Sequence, residues 1–283
     1  MTSNAPTELS YQVFVSDGVP RHTDVRLPDG GPIISSPLSS TLIHGRHDAV
    51  LVDPSWTIEQ TTRLGDWIEA TGVRLRAIYI THGHGDHWFG TAQLLERFPG
   101  ATVYATDGTI RLMHRQATSR PEFWDVLFPG LIGETPVLAQ SVPHDGFTLE
   151  GHRLVPVETG HTDTDDTTVL HVPDLGLVVA GDVVYNGVHQ MLQELGETGL
   201  QSWLDALDTV EALHPRAVVA GHKNRALPDD PAAISHTRQY LLDARELLAT
   251  SPSPSAFFDE MSARHPQRLN LGPLWNNALT LLS

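Results

Sequence analysis

The chain of 283 residues contains no cysteine. Disulfide bonds and thiolate ligands are therefore excluded, so any metal ion must be held by nitrogen and oxygen donors. A covalent nucleophile, if the protein uses one, must likewise be something other than sulfur. Cysteine usage consequently says nothing about the redox compartment.

Basic residues are also scarce, with 18 Lys and Arg against 34 Asp and Glu and a formal net charge of −16. Nucleic acids and anionic membranes require positive patches, so the charge disfavours both as partners. Bound cations would cancel part of this negative charge. We expect a small-molecule substrate, no nucleic acid and no membrane, and we leave a homodimer open.

Long apolar runs are absent as well. No window approaches the roughly 18 uninterrupted apolar residues that span a bilayer. The start, MTSNAPTELS, has neither the basic nor the apolar region of an export signal. We therefore expect a cytoplasmic protein, and the 40% hydrophobic content is sufficient for a large core. A single domain over residues 1–283 is the simplest expectation.

Strand-length apolar runs alternate with stretches of helical periodicity, which is an α/β or α+β pattern. The segment STLIHGRHDAVLVDPS predicts two strands around a turn at Gly45, the second covering Ala49 to Val52. A helix is predicted from Thr57 to Thr71. A short helix is predicted in TAQLLERFPG and a strand in ATVYAT.

The periodicity fades between residues 113 and 143, where the chain contains RPEFWDVLFPGLIGETP. This composition is consistent with a cap over a site and equally with a loosely packed core segment. Near the other end, TSPSPSAFF predicts a hinge before a C-terminal extension at residues 251–283.

The segment THGHGDHWFG carries three histidines and an aspartate within six residues, directly after the apolar run Ala77–Ile80. Three further apolar runs end in the same kind of residue. Strands that run in one direction bring the residues at their C-terminal ends to one edge of a sheet. The runs and the residues that follow them are Ala77–Ile80 with His82, His84, Asp86 and His87; Leu154–Val157 with His161; Leu177–Ala180 with Asp182; and Ala217–Ala220 with His222.

Seven nitrogen and oxygen donors at one edge are enough for two metal ions. Imidazole together with carboxylate favours zinc, while manganese, iron or cobalt can use the same donors. We therefore expect two divalent cations, with zinc first among them.

The motifs HGHGDH, ETGHT, AGDVVY and AGHK resemble those of the metallo-β-lactamase fold hydrolases, which include glyoxalase II and the acyl-homoserine lactone lactonases. The resemblance extends from about Ser40 to Lys223. It implies a four-layer αβ/βα sandwich with the metal ligands along one edge.

The resemblance also implies a role for each donor. His82, His84 and His161 would hold the first metal, Asp86, His87 and His222 the second, and Asp182 would bridge the two. Asp53 matches an aspartate that supports the site. It is followed here by Pro-Ser, where the family usually has a small residue and glycine.

Two bridged cations lower the pKa of a shared water toward about 7, which supplies a hydroxide nucleophile at neutral pH. Asp86 could orient that hydroxide and carry a proton to the leaving group. Tyr185 lies three residues after Asp182, an offset similar to that of the lactonase tyrosine that donates to the substrate oxygen. Trp56, Trp88, Phe89 and His189 are candidates for the pocket by position alone.

These features favour a dinuclear hydrolase acting on an ester or lactone, with Asp86 and Tyr185 as catalytic residues. Alternatives within the family remain. They are a glyoxalase II-like thioester hydrolase, a β-lactam hydrolase, and a mononuclear iron persulfide dioxygenase. The basic glutathione-binding residues of glyoxalase II are not recognisable near this C-terminus. Metal content separates the dioxygenase from the others.

Overall fold

The computed structural model describes residues 8–134, 137–196 and 198–282. The strands in these ranges are β1 (Ser10–Ser16), β2 (Leu38–His44), β3 (Asp48–Val52), β4 (Arg74–Tyr79), β5 (Thr102–Ala105), β6 (Gln140–Ser141), β7 (Phe147–Leu149), β8 (His152–Gly160), β9 (Thr167–Val172), β10 (Leu177–Asn186) and β11 (Ala217–Lys223). The α-helices are α1 (Ile58–Ala70), α2 (Thr91–Arg97), α3 (Asp107–Ser119), α4 (Trp124–Leu127), α5 (Gly199–Glu211), α6 (Ala232–Leu248), α7 (Pro254–Arg264) and α8 (Leu271–Leu281).

The strands form one curled sheet in the order β6-β5-β4-β3-β2-β11-β10-β9-β8-β7, with β1 paired to β2. Strand β8 is antiparallel to β9, and β9 to β10, while β10 is parallel to β11. Strand β11 is antiparallel to β2, β2 to β3, and β3 is parallel to β4. Strands β4, β8, β10 and β11 therefore run in the same direction, as the sequence predicted.

Three hydrophobic clusters lie between the layers of the fold. One joins helices α1 to α4 to the first half of the sheet, and another joins α5 to α8 to the second half. The third lies between the two halves and includes Val50, Tyr79, Leu170 and Val179. The predicted α/β sandwich of four layers is thus confirmed.

Local sequence explains where helix α1 begins. The hydroxyl of Thr57 accepts a hydrogen bond from the Gln60 backbone N–H at 3.2 Å, and the Gln60 side chain accepts one from the Thr57 N–H at 3.4 Å. This capping box satisfies donors that the first turn leaves unpaired. Leu64 and Ile68 are buried on the inner face of the helix, so the predicted helix is confirmed to within a residue at each end.

Strands β10 and β11 extend further than their apolar runs indicated. Asp182 and Tyr185 lie inside β10, and His222 lies inside β11, whereas the sequence placed them after the strands. The register between these strands shifts twice, at Val179/Gly181 and at Gly181/Tyr185. These irregularities turn side chains of a continuous strand toward the sheet edge.

The segment at 113–143 contributes to the core. Trp124, Phe128 and Ile132 are buried there, and the Phe128 ring lies 4.5 Å from the ring of Trp56, centroid to centroid. Residues 135–136 lie outside the described residues. A role for this segment as a cap stays a prediction.

The C-terminal residues pack against the second half of the sandwich. Helix α7 begins at the Ser253 cap, close to the predicted hinge, and buries Phe257 and Met261. Helix α8 buries Leu274 and Ala278. No helix within the described ranges is both long and apolar enough to cross a membrane.

Glu150 closes the turn between β2 and β3 from a distant part of the chain. Its carboxylate accepts hydrogen bonds from the backbone N–H groups of Arg46, His47 and Asp48 at 3.0, 2.6 and 2.8 Å. Partial burial raises the pKa of Glu150, but these three donors outweigh it and lower the pKa to about 2. Glu150 itself has a positive φ of 49°, so the contacts also hold a strained backbone.

We expect Glu150→Gln to reduce stability at pH 7 by about 1 kcal/mol, which lowers the Tm by about 2–4 °C. Because the folded pKa lies below the unfolded value of 4.5, the contribution is full above about pH 4.5 and is lost as the pH falls toward 2. Calorimetry of both proteins at pH 7 and pH 3 measures the difference. Glu122→Gln at an exposed position is the control, and a pH-independent difference for Glu150→Gln would contradict the account.

Candidate metal centre

The HGHGDH motif leaves strand β4 and turns through a short 3₁₀ helix at Gly85–His87. This turn requires glycine, because a Cβ on Gly85 would lie 2.1 Å from the Phe89 ring. The side chains of His82, His84 and His87 are buried. The turn therefore holds three imidazoles away from water, within contact of one another.

One group of donors consists of His82, His84 and Asp163. The Asp163 Oδ2 atom lies 2.8 Å from His84 Nδ1 and 3.7 Å from His82 Nε2. The ligands of a tetrahedral zinc site are about 3.3 Å apart, so these separations fit a shared cation. Asp163 was not predicted from the sequence; it lies two residues after His161, in the loop between β8 and β9.

A second group consists of Asp86, His87 and His222. Asp86 Oδ2 lies 3.6 Å from His222 Nε2. Asp182 connects this group, with its two carboxylate oxygens 3.3 Å from His87 Nε2 and 3.2 Å from His222 Nε2. Burial raises the pKa of Asp182, but His222 and His87 outweigh it and hold the pKa well below its ordinary value.

Asp53 supports the site from behind. Its carboxylate accepts hydrogen bonds from the Thr81 N–H at 2.8 Å and the Thr81 hydroxyl at 2.6 Å, and it lies 3.0 Å from His87 Nδ1. The Asp53 backbone has a positive φ of 52°. An acceptor on Nδ1 leaves Nε2 of the same ring free to ligate, and that atom is the one facing Asp182.

His161 stands apart from these groups. Its Nδ1 lies 2.7 Å from Asp165 Oδ1, and its side chain is 23% exposed. Its Nε2 is nevertheless buried without a hydrogen-bond partner among the described residues. The structure therefore brings six of the seven predicted donors into contact with one another, while ligation by His161 stays a prediction.

Several buried polar atoms at this edge have no hydrogen-bond partner in the described part of the chain. Such atoms are costly unless something satisfies them. A metal ion would do so, since each atom is a nitrogen or oxygen donor. They are His82 Nε2, His87 Nε2, His161 Nε2, Asp163 Oδ2 and Asp182 Oδ1.

The pKa values of the histidines also fit a cation. Burial and then the nearby His87 lower the pKa of His82 to about 3, which keeps that ring in the neutral form that binds metal. Burial lowers the pKa of His84 too, but Asp163 and Glu194 outweigh it and raise the pKa well above its ordinary value. The carboxylates thus attract positive charge, which a proton or a divalent cation can supply.

Tyr185 lies against the second group. Its hydroxyl donates to Asp182 Oδ2 at 2.5 Å, and its ring lies 5.5 Å from that of His222. Burial, followed by the charge of Asp182, raises the pKa of the phenol well above its ordinary value. The phenol therefore stays protonated and is a hydrogen-bond donor at the edge of the site.

A pocket opens beside these groups, and Asp86, Asp182, Tyr185 and His222 line it. Of the four pocket candidates, Trp56 is a lining residue of this pocket. Trp88 instead donates from its indole to the Gly83 carbonyl, and His189 Nδ1 lies 3.1 Å from the Tyr240 hydroxyl. Phe89 lines a different cavity, which Trp56 also borders. Position beside a motif was therefore a weak guide.

Curated hydroxyacylglutathione hydrolases from Blochmanniella pennsylvanica and Francisella philomiragia match over 78 and 64 residues, at 32% and 38% identity. These matches cover 28% and 23% of this chain. They span 30% and 24% of the relatives, so the chain matches less than a third of the length of either one.

Two solved structures share the fold. A metallo-beta-lactamase from Pontibacter korlensis is 22% identical, with a TM-score of 0.56, covering 83% of this chain and 100% of that one. The metallo-beta-lactamase FIM-1 from Pseudomonas aeruginosa, in its mono-zinc form, is 20% identical, with a TM-score of 0.57 and coverage of 86% and 98%. The family model described as the metallo-beta-lactamase superfamily matches residues 36–222, which include all seven predicted donors. The chain belongs to the metallo-beta-lactamase superfamily.

Proposed function

We propose that the protein is a dinuclear metal-dependent hydrolase that cleaves an ester or lactone of a small or medium organic substrate. The observation that carries the proposal is the set of unpartnered buried donors, which includes atoms of both donor groups described above and of Asp182. Zinc is the metal that this donor set favours, with manganese, iron and cobalt as alternatives. A pocket with a volume of about 100 Å³ lies beside the donors.

When bound, two divalent cations would lower the pKa of a shared water and polarise the substrate carbonyl. The residues of the chain would hold and move the protons. Asp86 lines the pocket with its side chain 20% exposed, so one carboxylate oxygen can accept the proton of the attacking water and pass it to the leaving group. Trp56, Trp124 and Phe128 line the same pocket and would limit the entry of water.

A thioester hydrolase is the second candidate. It is favoured by the curated relatives, which are named hydroxyacylglutathione hydrolases. A hydrolysis screen separates the two candidates when it compares lactones, aryl esters, glutathione thioesters and a chromogenic β-lactam on protein of measured metal content. A thioester turned over with far higher kcat/KM than any oxygen ester would replace the first proposal by the second.

Metal removal should abolish activity and lower stability. We expect close to two metal ions per chain, loss of hydrolysis in EDTA, and recovery with zinc or manganese. The metal-free protein should melt at least roughly 5 °C lower, because cations bind the folded state and relieve repulsion among its buried carboxylates. Elemental analysis and calorimetry test this. An active enzyme with one iron that consumes oxygen would instead assign the protein to the dioxygenases.

Asp163 is proposed as an additional ligand of the first metal. Replacing it with asparagine removes the charge but keeps the shape, so we expect the dissociation constant of one metal to rise about 10- to 100-fold. Competition with a chromogenic chelator measures it. Asp208→Asn is the control, because that carboxylate is 67% exposed and pairs with Arg238 rather than with a predicted ligand. Unchanged affinity for both metals in Asp163→Asn would remove Asp163 from the ligand set.

The preference for a lactone or ester rests on Tyr185. Tyr185 is a lining residue of the pocket, and its hydroxyl donates to Asp182, so donation to a substrate requires exchange of that hydrogen bond. A carboxylate that turns to a cation would release the hydroxyl. The phenol would then be free to donate to the substrate oxygen as charge develops on it.

Tyr185→Phe separates this role from metal binding. We expect both metals to remain and kcat to fall roughly 30- to 1000-fold, because a lost hydrogen bond to developing charge costs about 2–4 kcal/mol. His84→Ala is the comparison, and there metal occupancy and turnover should fall together. Steady-state kinetics with elemental analysis of each variant measure both quantities. Wild-type kinetics in Tyr185→Phe would make the tyrosine a packing residue.

A further inference from the structure

Arg21 is the cation of the pocket beside the metal donors. It lies in the N-terminal segment before β2, and it is the one Lys or Arg side chain among the described residues that line this pocket. The other ionisable residues of the lining are acids, histidines and a tyrosine. They are His84, Asp86, Asp182, Tyr185, Glu194 and His222.

The guanidinium of Arg21 lacks a close partner within the described ranges, although the Asp86 carboxylate is near enough to act on its charge. It makes no ion pair or side-chain hydrogen bond there, and its Nε atom is buried without an acceptor. Other half-buried arginines of the chain differ, since Arg97 pairs with Asp66 and Glu69, and Arg264 with Glu246. An unpaired buried donor on a charged group costs free energy. Arg21 is therefore available to an acceptor that enters the pocket.

The backbone holds Arg21 in place. Its N–H donates to the Ile33 carbonyl at 2.8 Å, and the next N–H, that of His22, donates to the Leu127 carbonyl at 2.7 Å. Leu127 ends helix α4 and lines the pocket itself. Burial lowers the pKa of the guanidinium, and the nearby Asp86 carboxylate offsets part of that effect. The group remains charged at neutral pH, because an arginine guanidinium is not deprotonated in proteins.

The remaining side chains that line the pocket are largely apolar, so we expect the rest of the ligand to be apolar as well. The apolar side chains are Trp56, Phe123, Trp124, Leu127, Phe128, Met191 and Pro273. A single guanidinium offers a planar pair of donors that matches one carboxylate. A phosphate dianion would call for a second cation, and the described lining has acids in place of one.

We propose that Arg21 binds a free carboxylate of the substrate, so that the enzyme selects esters or lactones with an apolar body and one carboxylate. This inference rests on the proposed hydrolase function for its kinetic consequence. The carboxylate would occupy the pocket wall formed by the N-terminal segment and helix α4, while the scissile carbonyl faces the metal donors. Arg21 is then a specificity residue that touches substrate away from the reacting bond.

Two aryl esters of equal chain length test the selectivity. They are 4-nitrophenyl hydrogen adipate, which carries a carboxylate, and 4-nitrophenyl hexanoate, which does not. We expect wild-type kcat/KM to favour the adipate, and Arg21→Met to reduce the adipate-to-hexanoate ratio by about 10- to 100-fold, mainly through KM. Arg21→Lys should give an adipate-to-hexanoate ratio between those of the wild type and Arg21→Met. Arg26→Met removes an exposed cation of the same segment and should keep the wild-type ratio.

A binding measurement separates failure of this inference from failure of the hydrolase proposal. Titration calorimetry with 4-phenylbutyrate and 4-phenylbutanol needs no turnover. On protein of equal metal content, we expect the carboxylate to bind about 10-fold more weakly to Arg21→Met than to the wild type, and the alcohol to bind both alike. Equal affinity of 4-phenylbutyrate for the wild type and Arg21→Met would show that Arg21 does not hold the carboxylate. That result would overturn the inference. Arg21→Lys provides the same comparison if the methionine variant does not fold.

Discussion

The buried carboxylate of Asp182 is the constraint on which the rest of the site depends. It is 2% exposed inside strand β10, so its charge must be satisfied by neighbours. Imidazoles from two other parts of the chain approach its oxygens, and a phenol from its own strand donates to it. A Cβ on Gly221 would lie 2.3 Å from Asp182 Oδ1. Position 221 of strand β11 must therefore be glycine for the strand to lie against this carboxylate. His222 is the next residue of the strand.

Most of the fold and much of the site were predictable from the sequence, because both depend on strand periodicity. Each of the four apolar runs is a strand, and all four strands run in the same direction. Their C-terminal ends therefore meet at one edge, whatever the intervening helices do. What periodicity could not give was the length of β10 and β11, since their register shifts keep Asp182 and His222 inside the strands.

The residues that the sequence did not reveal share a physical cause. Asp163 and Glu194 lie in connecting segments, where no periodicity fixes the direction of a side chain. Their approach to His84 depends on how these segments pack across the edge. Arg21 lies in a segment of the same kind, pinned by backbone hydrogen bonds to residues 33 and 127. The hydrogen bond from His22 to Leu127 spans 105 residues of chain and leaves no local signal in the sequence.

The metal donors and the pocket wall come from different parts of the chain. All seven predicted donors lie within residues 36–222, the range matched by the family model. Arg21 and Pro273 line the same pocket from outside that range, on the N-terminal segment and on helix α8. The shared core can therefore keep its chemistry while the flanking segments change the charge and shape of the wall. Because those segments contain none of the predicted metal donors, a substitution at Arg21 or Pro273 would change the pocket wall without replacing a donor.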